Sequence, residues 1–439
     1  MAARELFGTD GVRGRAGVDL TEQMARDLGA AAARFAGPGE EILIGRDTRE
    51  SGPPLEAALV AGIVSAGGVA VRAGVIPTPG VAVLARDVGA ALGCVISASH
   101  NPFEDNGIKF LGGDGRKLPD ADEARIESLM GSVDGGPGGR AERLEDAWAT
   151  YVQWLAATYG EDIEAGLRVG IDCANGAAWQ AAPALFERLG ERVEQIGCEP
   201  DGRNINAGVG STHLDAVAHL VSARGLDIGT AFDGDADRCL AVDGAGRPVN
   251  GDVIIATLAI DLHRRGLLTG DRVVVTSMTN LGFHRLVRQH GIEVDVTDVG
   301  DRYVLERMLE TEAVLGGEQS GHVVDLRNHT TGDGLATALM FLGALHRLGL
   351  RPEEANDMLV PFPQRLVAVP ADRSLLPSAD RIWQEVGAVS EKLGDGGRIV
   401  LRASGTEPLV RVMVEAEDEA ECERICSRLV DLVQSEIGT

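Results

Sequence analysis

Short runs of strand-forming residues alternate along most of the chain with longer segments whose apolar residues recur at helical spacing. The runs predict strands at Glu41–Gly45, Val69–Val75, Leu92–Ser97, Arg168–Asp172, Arg192–Ile196, Asp227–Phe232, Arg272–Ser277 and Glu293–Thr297. The segments between them predict amphipathic helices at Leu55–Ala66, Ala181–Leu189, Leu214–Ala223 and Leu281–His290. Strands that alternate with helices in this way indicate α/β units with largely parallel sheets.

Three interruptions of the pattern predict four domains. The glycine-rich patch Gly131–Gly139 is interpreted as a first linker, a helix that begins at Val253 opens a third unit, and Pro361-Phe-Pro363 marks the last break. The remaining segment is typical of a small α+β unit, with strands at Arg365–Val369, Arg398–Arg402 and Leu409–Glu415 and helices at Ala379–Leu393 and Asp418–Ile437. We predict domains at 1–148, 149–254, 255–364 and 365–439, the first three alike in architecture.

The composition restricts the classes of partner. The 439 residues are too many for one core, and a hydrophobic content of 44% suffices for several large ones. A net charge of −26 argues against a nucleic-acid partner, because nucleic-acid binding needs a cationic face. A small anionic ligand stays compatible, since a few convergent arginines bind it locally.

Neither a targeting segment nor a membrane span is predicted. The N-terminus carries charges at once, unlike a signal peptide. The most apolar long stretch, Ala57–Val71, is interrupted by Ser and Gly and is too short to cross a bilayer. The six cysteines are scattered and lack zinc-site spacing, which indicates reduced thiols. We therefore expect a cytoplasmic protein without a membrane partner.

A hydroxyl, an imidazole and an amine lie in or near one loop at the end of a predicted strand. Ser99 and His100 follow the strand that ends at Ser97, and a turn and a second apolar run with Lys109 come next. Ligands gather at such strand ends in parallel sheets, so we interpret Ser99 as a phosphoryl carrier. The segment also fits an ordinary turn, because Asn-Pro and Asn-Gly favour turns. A Ser-His hydrolase is disfavoured, since the G-x-S-x-G elbow is missing.

Three carboxylates occupy alternate positions after another apolar run, in the segment TAFDGDADR. Alternate residues of an extended segment share one side, so Asp233, Asp235 and Asp237 can converge. Their repulsion calls for a cation, and hard oxygen ligands at this density suit Mg²⁺. An EF-hand is excluded, because Arg238 stands where that loop needs Gly and Gly244 where it needs Glu. A solvated Asp-rich turn stays an alternative.

Glycine-containing loops elsewhere could hold phosphate or sugar. Near the C-terminus, two arginines, two hydroxyls and free N–H groups form a plausible phosphate cradle, composed of Arg402, Ser404, Gly405, Thr406 and Arg411. In GGEQSGH, the side chains of Glu318, Ser320 and His322 could hydrogen-bond sugar hydroxyls. Either segment could also be an ordinary loop, and the P-loop motif is absent. The segments 8–14 and 45–51 add Arg13 and Arg49 near strand ends.

Taken in order, these motifs resemble those of the α-D-phosphohexomutases along essentially the whole chain. The resemblance rests on SASHNP with a downstream NGIK, then DGDADR, GEQSGH and RASGTEP. The opening FGTDGVRG, the combination of GEQSGHVV with TTGDG, and the overall length resemble most the bacterial branch that acts on glucosamine phosphate. Ala236, between the aspartates, is a variation that the family tolerates.

The resemblance implies four domains around a central cleft: three similar α/β mixed-sheet domains and a smaller C-terminal α+β domain, each contributing one loop. It implies a phosphoserine mutase that interconverts glucosamine 6-phosphate and glucosamine 1-phosphate through a 1,6-bisphosphate, supplying UDP-N-acetylglucosamine and cell-wall synthesis. One Mg²⁺ would be bound by Ser99, Asp233, Asp235 and Asp237. Glucosamine or glucose 1,6-bisphosphate would serve as activator, and a homodimer through the first domain is implied as possible.

The resemblance also assigns roles to the remaining candidates. Catalytic work would fall to Lys109, His100 and Arg13. The sugar hydroxyls would be held by Glu318 and Ser320 with His322, and the non-reacting phosphate by the segment from Arg402 to Arg411. A phosphoglucomutase or phosphomannomutase would use the same machinery, and a non-catalytic sugar-phosphate sensor on the same scaffold is a further alternative.

Overall fold

The computed structural model describes residues 6–8, 10–131, 138–161, 163–164, 166–404 and 408–439. The chain divides into two compact units: Met1–Thr276 with Ile292–Asp357, and Ser277–Gly291 with Met358–Thr439. The first unit contains three sheets and the second contains one. Two predicted site residues, Gly405 and Thr406, lie outside the described residues, as does part of the predicted first linker, 132–137.

The first sheet has six strands in the order β1-β5-β4-β2-β3-β6. The strands are β1 (Val12–Arg15), β2 (Glu41–Arg46), β3 (Val69–Val75), β4 (Leu92–Ile96), β5 (Asp105–Gly112) and β6 (Arg140–Arg143), and the helices are α1 (Glu22–Ala36), α2 (Gly52–Ser65), α3 (Thr78–Val88) and α4 (Asp120–Ser128). Strands β2, β3, β4 and β6 run parallel, and β5 pairs antiparallel with β4 and β1. Every residue of β4 is buried, as expected of a central strand covered on both faces.

The first sheet extends beyond the glycine-rich patch Gly131–Gly139, to a strand that lies within the predicted first domain, 1–148. Directly after the patch, β6 pairs in parallel register with β3, so the first sheet continues beyond it. Every residue of β6 is exposed, because it is an edge strand. It therefore carries no apolar run by which its sequence could predict it.

The second sheet has five strands in the order β11-β10-β9-β7-β8. Its elements are α5 (Ala147–Tyr159), β7 (Arg168–Asp172), α6 (Ala181–Arg188), β8 (Arg192–Ile196), α7 (Asp215–Arg224), β9 (Ile228–Phe232), β10 (Cys239–Asp243) and β11 (Pro248–Val249). Strand β7 is parallel to β8 and β9, whereas β10 returns antiparallel to β9. The turn between β9 and β10 is thus a hairpin at the carboxyl end of a parallel strand.

The third sheet has four strands in the order β13-β12-β14-β15. The elements along this part of the chain are α8 (Gly251–Arg264), β12 (Arg272–Thr276), α9 (Leu281–Gln289), β13 (Glu293–Thr297), α10 (Asp301–Thr311), β14 (Leu315–Gly317), β15 (Val323–Asp325), α11 (Gly334–Leu348) and α12 (Pro352–Met358). Helix α8 begins at Gly251, earlier than the predicted Val253, because the Asn250 side chain accepts a hydrogen bond from Val253 N at 3.2 Å. Asparagine is a favoured N-cap for this reason.

The second compact unit combines α9 with the C-terminal elements. These are β16 (Gln364–Pro370), α13 (Asp380–Leu393), β17 (Gly397–Ala403), β18 (Leu409–Ala416) and α14 (Glu419–Ile437), with the antiparallel strand order β16-β18-β17. Buried Glu415 on β18 accepts from Asn280 Nδ2 at 2.9 Å, Leu281 N at 3.3 Å and Arg398 Nε at 2.6 Å. This network ties the start of α9 to the C-terminal sheet.

The predicted fold class is confirmed. Three mixed α/β sheets are followed by a smaller antiparallel sheet with helices. The boundaries of the four predicted domains stay predictions. No described helix is both long and apolar enough to cross a bilayer.

Candidate active site

Ser99 lies in the serine loop, residues 97–105, which follows β4. Its side chain is buried, and Oγ donates a hydrogen bond to Asp233 Oδ2 at 2.6 Å. The backbone of Ser99 has a φ of 50°, a left-handed conformation that costs a non-glycine residue about 1 kcal/mol. The rest of the loop therefore has to stabilise this conformation.

The aspartate loop, residues 233–238, is the turn of the hairpin between β9 and β10. One carboxylate oxygen from each of Asp233, Asp235 and Asp237 lies within 4.8 Å of the others. It is the one group of potential metal-ligating side chains found among the described residues. The alternation of carboxylates in DGDAD thus produces the predicted convergence.

The electrostatics of the three aspartates fit a cation. Burial raises the pKa of Asp233 well above its usual value, and the carboxylates of Asp237 and Asp235 raise it further. At Asp235 burial also raises the pKa, but the Lys109 ammonium and the Thr78 hydroxyl outweigh it, so the net pKa is lowered.

Two oxygens of the cluster are open to a ligand. Oδ1 of Asp235 and Oδ1 of Asp237 are buried and have no hydrogen-bond partner among the described residues. Clustered hard oxygens with open lone pairs are the donor set that Mg²⁺ or a similar divalent cation prefers. The residues present therefore fit the predicted metal.

Lys109 and Arg13 reach the same place from neighbouring strands, β5 and β1. Lys109 Nζ lies 3.4 Å from Asp235 Oδ2 and 3.7 Å from Asp10 Oδ1. The Arg13 guanidinium pairs with Asp10. Asp10 thus links the two predicted catalytic cations.

His100 presents its ring to the serine hydroxyl. Nδ1 lies 3.3 Å from Ser99 Oγ. Burial, followed by the charges of Arg238 and Arg13, lowers the pKa of His100 to about 4. The imidazole is therefore neutral at pH 7.

The sugar loop, residues 318–322, joins β14 to β15. Glu318 Oε1 accepts a hydrogen bond from Gly300 N at 3.0 Å. The Oγ of Ser320 is buried without a hydrogen-bond partner in the described part of the chain. The His322 ring lies against Gly332, where a Cβ would stand 2.3 Å from Nε2. Glycine at 332 is therefore needed to seat this ring.

Arg238, which sequence reasoning used only to exclude an EF-hand, belongs to the site. Its backbone N donates to Asp233 Oδ1 at 3.3 Å, and its Nε lies 3.9 Å from Asp237 Oδ1. A β-bridge pairs Arg238 with His322, so the aspartate and sugar loops are directly joined. Arg238 directly follows the three alternating aspartates in the sequence, and this position could have indicated that it belongs to the site.

Asn206 was missed as well, in a Gly- and Asn-rich loop that has no recognised motif. Its Nδ2 donates to Ser99 O at 2.9 Å and to Asn101 O at 3.1 Å.

The nearby segment 208–213, which only superficially resembles a dinucleotide loop, has a structural role. Gly210 N donates to Asp172 Oδ2 at 2.7 Å.

Within the second unit, the described members of the predicted phosphate-binding set, Arg402, Ser404 and Arg411, lie at one end of the C-terminal sheet. Arg402 on β17 and Arg411 on β18 are directly opposite each other in register. Two guanidinium groups at one end of a sheet can together bind an anion such as phosphate. Ser404 is buried, with its N–H donating to Leu409 O at 2.9 Å.

Comparison with known proteins identifies the family. Models of the phosphoglucomutase/phosphomannomutase α/β/α domains I, II and III match residues 4–135, 149–246 and 250–361, and that of the C-terminal domain matches 366–432. Phosphoglucosamine mutase of Pelotomaculum thermopropionicum is 47% identical, over 98% of this chain and 99% of its own length. This chain belongs to the phosphoglucosamine mutase family. The relative from Rubrobacter xylanophilus is 48% identical over 99% of this chain and 98% of its own.

Solved structures agree on the fold of this phosphoglucosamine mutase family member. A phosphoglucomutase/phosphomannomutase family protein from Burkholderia thailandensis superposes with a TM-score of 0.83 at 26% identity, over 99% of this chain and 98% of that one. N-acetylphosphoglucosamine mutase of Aspergillus fumigatus, solved with GlcNAc-6P and magnesium, has a TM-score of 0.69 at 18% identity, over 99% and 96% of the two chains. At this identity, the second structure supports the fold alone.

Proposed function

We propose that the protein interconverts glucosamine 6-phosphate and glucosamine 1-phosphate, with Ser99 as the phosphoryl carrier. The observation that carries the proposal is the buried Ser99 hydroxyl held 2.6 Å from Asp233, in a cluster that also contains Asp235 and Lys109. A family of phosphosugar mutases at 47% identity supports the glucosamine phosphates as substrates.

Ser99, Asp233, Asp235 and Asp237 are the residues that would hold Mg²⁺. When bound, this ion neutralises charge on the transferring phosphoryl group, which is the main requirement of phosphoryl transfer. The protein side chains supply the remaining positive charge: Lys109 at 3.4 Å from Asp235, and Arg238 beside Asp237.

Two phosphoryl transfers, one in each direction, account for the isomerisation. In the first, the bond between phosphorus and Ser99 Oγ breaks and a bond to the O1 oxygen of glucosamine 6-phosphate forms. The proton leaves the O1 hydroxyl for a neighbouring base and returns to Ser99 Oγ. Lys109 would serve in this proton transfer or stabilise charge, with His100, 3.3 Å from Oγ, in support.

The second transfer needs the bisphosphate with its other end at Ser99. The bond between phosphorus and O6 then breaks and a bond to Ser99 Oγ forms, while the Oγ proton passes to O6, which releases glucosamine 1-phosphate and restores the phosphoserine. Glu318 and Ser320 would hold the 3- and 4-hydroxyls, which both orientations share. The phosphate that is not reacting would be held by the second unit's Arg402, Ser404 and Arg411, together with Gly405 and Thr406.

The test is a coupled assay for glucosamine 1-phosphate formed from glucosamine 6-phosphate, with Mg²⁺ and a trace of glucose 1,6-bisphosphate as activator. Ser99→Ala should remove most turnover and keep the fold, whereas Ser128→Ala, an exposed serine on α4, should keep wild-type turnover. Full activity of Ser99→Ala would refute the carrier role. Faster turnover of glucose or mannose phosphates would instead make the protein a phosphoglucomutase or phosphomannomutase, and no turnover of any of the sugars would favour the sensor.

A homodimer and a cytoplasmic location complete the proposal. The homodimer rests on the family resemblance, and the location rests on the scattered cysteines, which indicate reduced thiols. Light scattering of the purified protein tests the first, and fractionation of the source cells tests the second.

A further inference from the structure

A buried arginine occupies the space beneath the serine loop. Arg49, which lies between β2 and α2, is 0% exposed. Its Nη2 donates to Ser99 O at 2.8 Å and to Asn101 O at 2.9 Å. Its Nη1 donates to Asp105 O at 3.0 Å and also to Pro102 O. One guanidinium therefore binds four carbonyl groups of one loop.

The charge of this arginine is balanced by Asp47, which extends the network to the other side of Ser99. Asp47 Oδ2 accepts from Arg49 Nε at 2.8 Å and from Ser97 Oγ at 2.6 Å. Ser97 Oγ in turn accepts from Ser99 N at 3.0 Å. Both the N–H and the C=O of Ser99 are thereby fixed by the Asp47 and Arg49 pair.

Only a guanidinium fits this arrangement. It presents five donors in a rigid plane, whereas a lysine has three donors on one atom at the end of a flexible chain. Four buried carbonyls that point to one spot would each lose free energy without a donor. Since Ser99 also has a left-handed backbone, the loop is held in this conformation by its hydrogen bonds.

We propose that Arg49 is a positioning residue for phosphoryl transfer: by fixing the peptide groups on both sides of Ser99, it aims Oγ at the aspartate loop and the acceptor hydroxyl. This role rests on the proposed function. It differs from a purely folding role, because the loop must keep the same geometry when Ser99 donates and when it accepts the phosphoryl group.

The experiment compares Arg49→Lys and Ser97→Ala with wild type. Arg347→Lys is the matched control, since Arg347 is a partly buried arginine that pairs with Asp261 of α8 through Nε at 3.0 Å and Nη2 at 2.7 Å. For each protein, kcat and KM for glucosamine 6-phosphate, the rate of Ser99 phosphorylation by glucose 1,6-bisphosphate (followed by intact mass), and Tm are measured.

Arg49→Lys should lower kcat and the phosphorylation rate about 100-fold, the loss expected for a displacement of about 1 Å, with KM within about threefold of wild type. Ser97→Ala, too small a change to unfold the protein, should lower both rates at least about tenfold. Arg347→Lys should lose Tm but keep kcat. Should Arg49→Lys fail to fold, Ser97→Ala decides.

Wild-type kcat in a folded Arg49→Lys, or in Ser97→Ala, would overturn the positioning role. An equal loss of kcat in Arg347→Lys would also overturn it, because general destabilisation would then explain the effect. An inactive wild-type protein would refute the proposed function instead, so the two failures are distinguishable.

Discussion

Replacing Gly234 with alanine tests whether the serine and aspartate loops must touch. Gly234 lies between two of the predicted metal ligands. A Cβ there would lie 2.4 Å from Ser99 O and 2.9 Å from Asn206 Nδ2. Ordinary contact between carbon and oxygen atoms needs about 1 Å more than the first distance. The Ser99 carbonyl cannot move aside, because Arg49 and Asn206 both bind it.

The two loops therefore have to separate by about 1 Å. The 2.6 Å hydrogen bond from Ser99 Oγ to Asp233 would not survive such a shift. A displacement of this size at a reacting centre costs about 100-fold in rate, which corresponds to about 2.7 kcal/mol of barrier. Overpacking of a tight contact also lowers the free energy of unfolding by about 1–3 kcal/mol.

The assay measures kcat for glucosamine 6-phosphate and urea unfolding for Gly234→Ala and for a control, Gly387→Ala. Gly387 is an exposed residue of α13 with no atom within 4 Å of the position of an added Cβ. The control should keep wild-type kcat and gain about 0.5–1 kcal/mol of helix stability. If Gly234→Ala keeps kcat within about twofold of wild type, loop contact does not set the rate and the reasoning is refuted.

Three other predictions concern metal, pH and the second unit. Mg²⁺ at 100 times its Kd should raise the unfolding free energy of the wild-type protein by about 2.7 kcal/mol. Calorimetry should show this gain for wild type and no gain for Asp233→Asn, and an equal gain in both proteins would contradict the metal site. Burial raises the pKa of Glu191 to about 7, so its charge destabilises the fold as pH rises from about 4.5 towards 7. Glu191→Gln should therefore gain about 1–2 kcal/mol of unfolding free energy at pH 8 and nothing at pH 4, and equal urea midpoints of the two proteins at pH 8 would contradict this. Glu415→Ala leaves Arg398 without its carboxylate and should lower the stability of the C-terminal sheet by about 3 kcal/mol. Amide hydrogen exchange of β17 and β18 should therefore be faster in this variant, and unchanged exchange would contradict the prediction.

The sequence predicted those features whose signal is local. Strands such as β3, β7, β8 and β13 have the predicted bounds, because continuous apolar or alternating runs define them. The three aspartates converge because they occupy alternate positions of one short turn. The start of α8 differs from the predicted one, because the N-cap residue Asn250 lets the helix begin at Gly251 and not at Val253.

Features that depend on tertiary contact were not predictable from local pattern. The carbonyls that surround Arg49 come from residues about 50 positions later in the chain, so nothing near Arg49 indicates its partners. The same holds for Asn206, which reaches back to the serine loop from the second sheet. Strand β6 is exposed and lacks an apolar run, so its sequence does not predict a strand. The association of α9 with the C-terminal elements depends on Glu415, which lies far along the chain from α9.

The most direct test of the central claim is a single-turnover experiment with the phosphorylated enzyme. The protein is phosphorylated by glucose 1,6-bisphosphate, freed of excess reagent, and its phosphate is mapped by peptide mass spectrometry before and after mixing with glucosamine 6-phosphate and Mg²⁺. The account predicts phosphate on Ser99 alone, and its transfer to sugar to give glucosamine 1,6-bisphosphate at a rate no slower than kcat. Phosphate on another residue, or glucosamine 1-phosphate whose phosphate does not come from isotope-labelled phospho-Ser99, would contradict it.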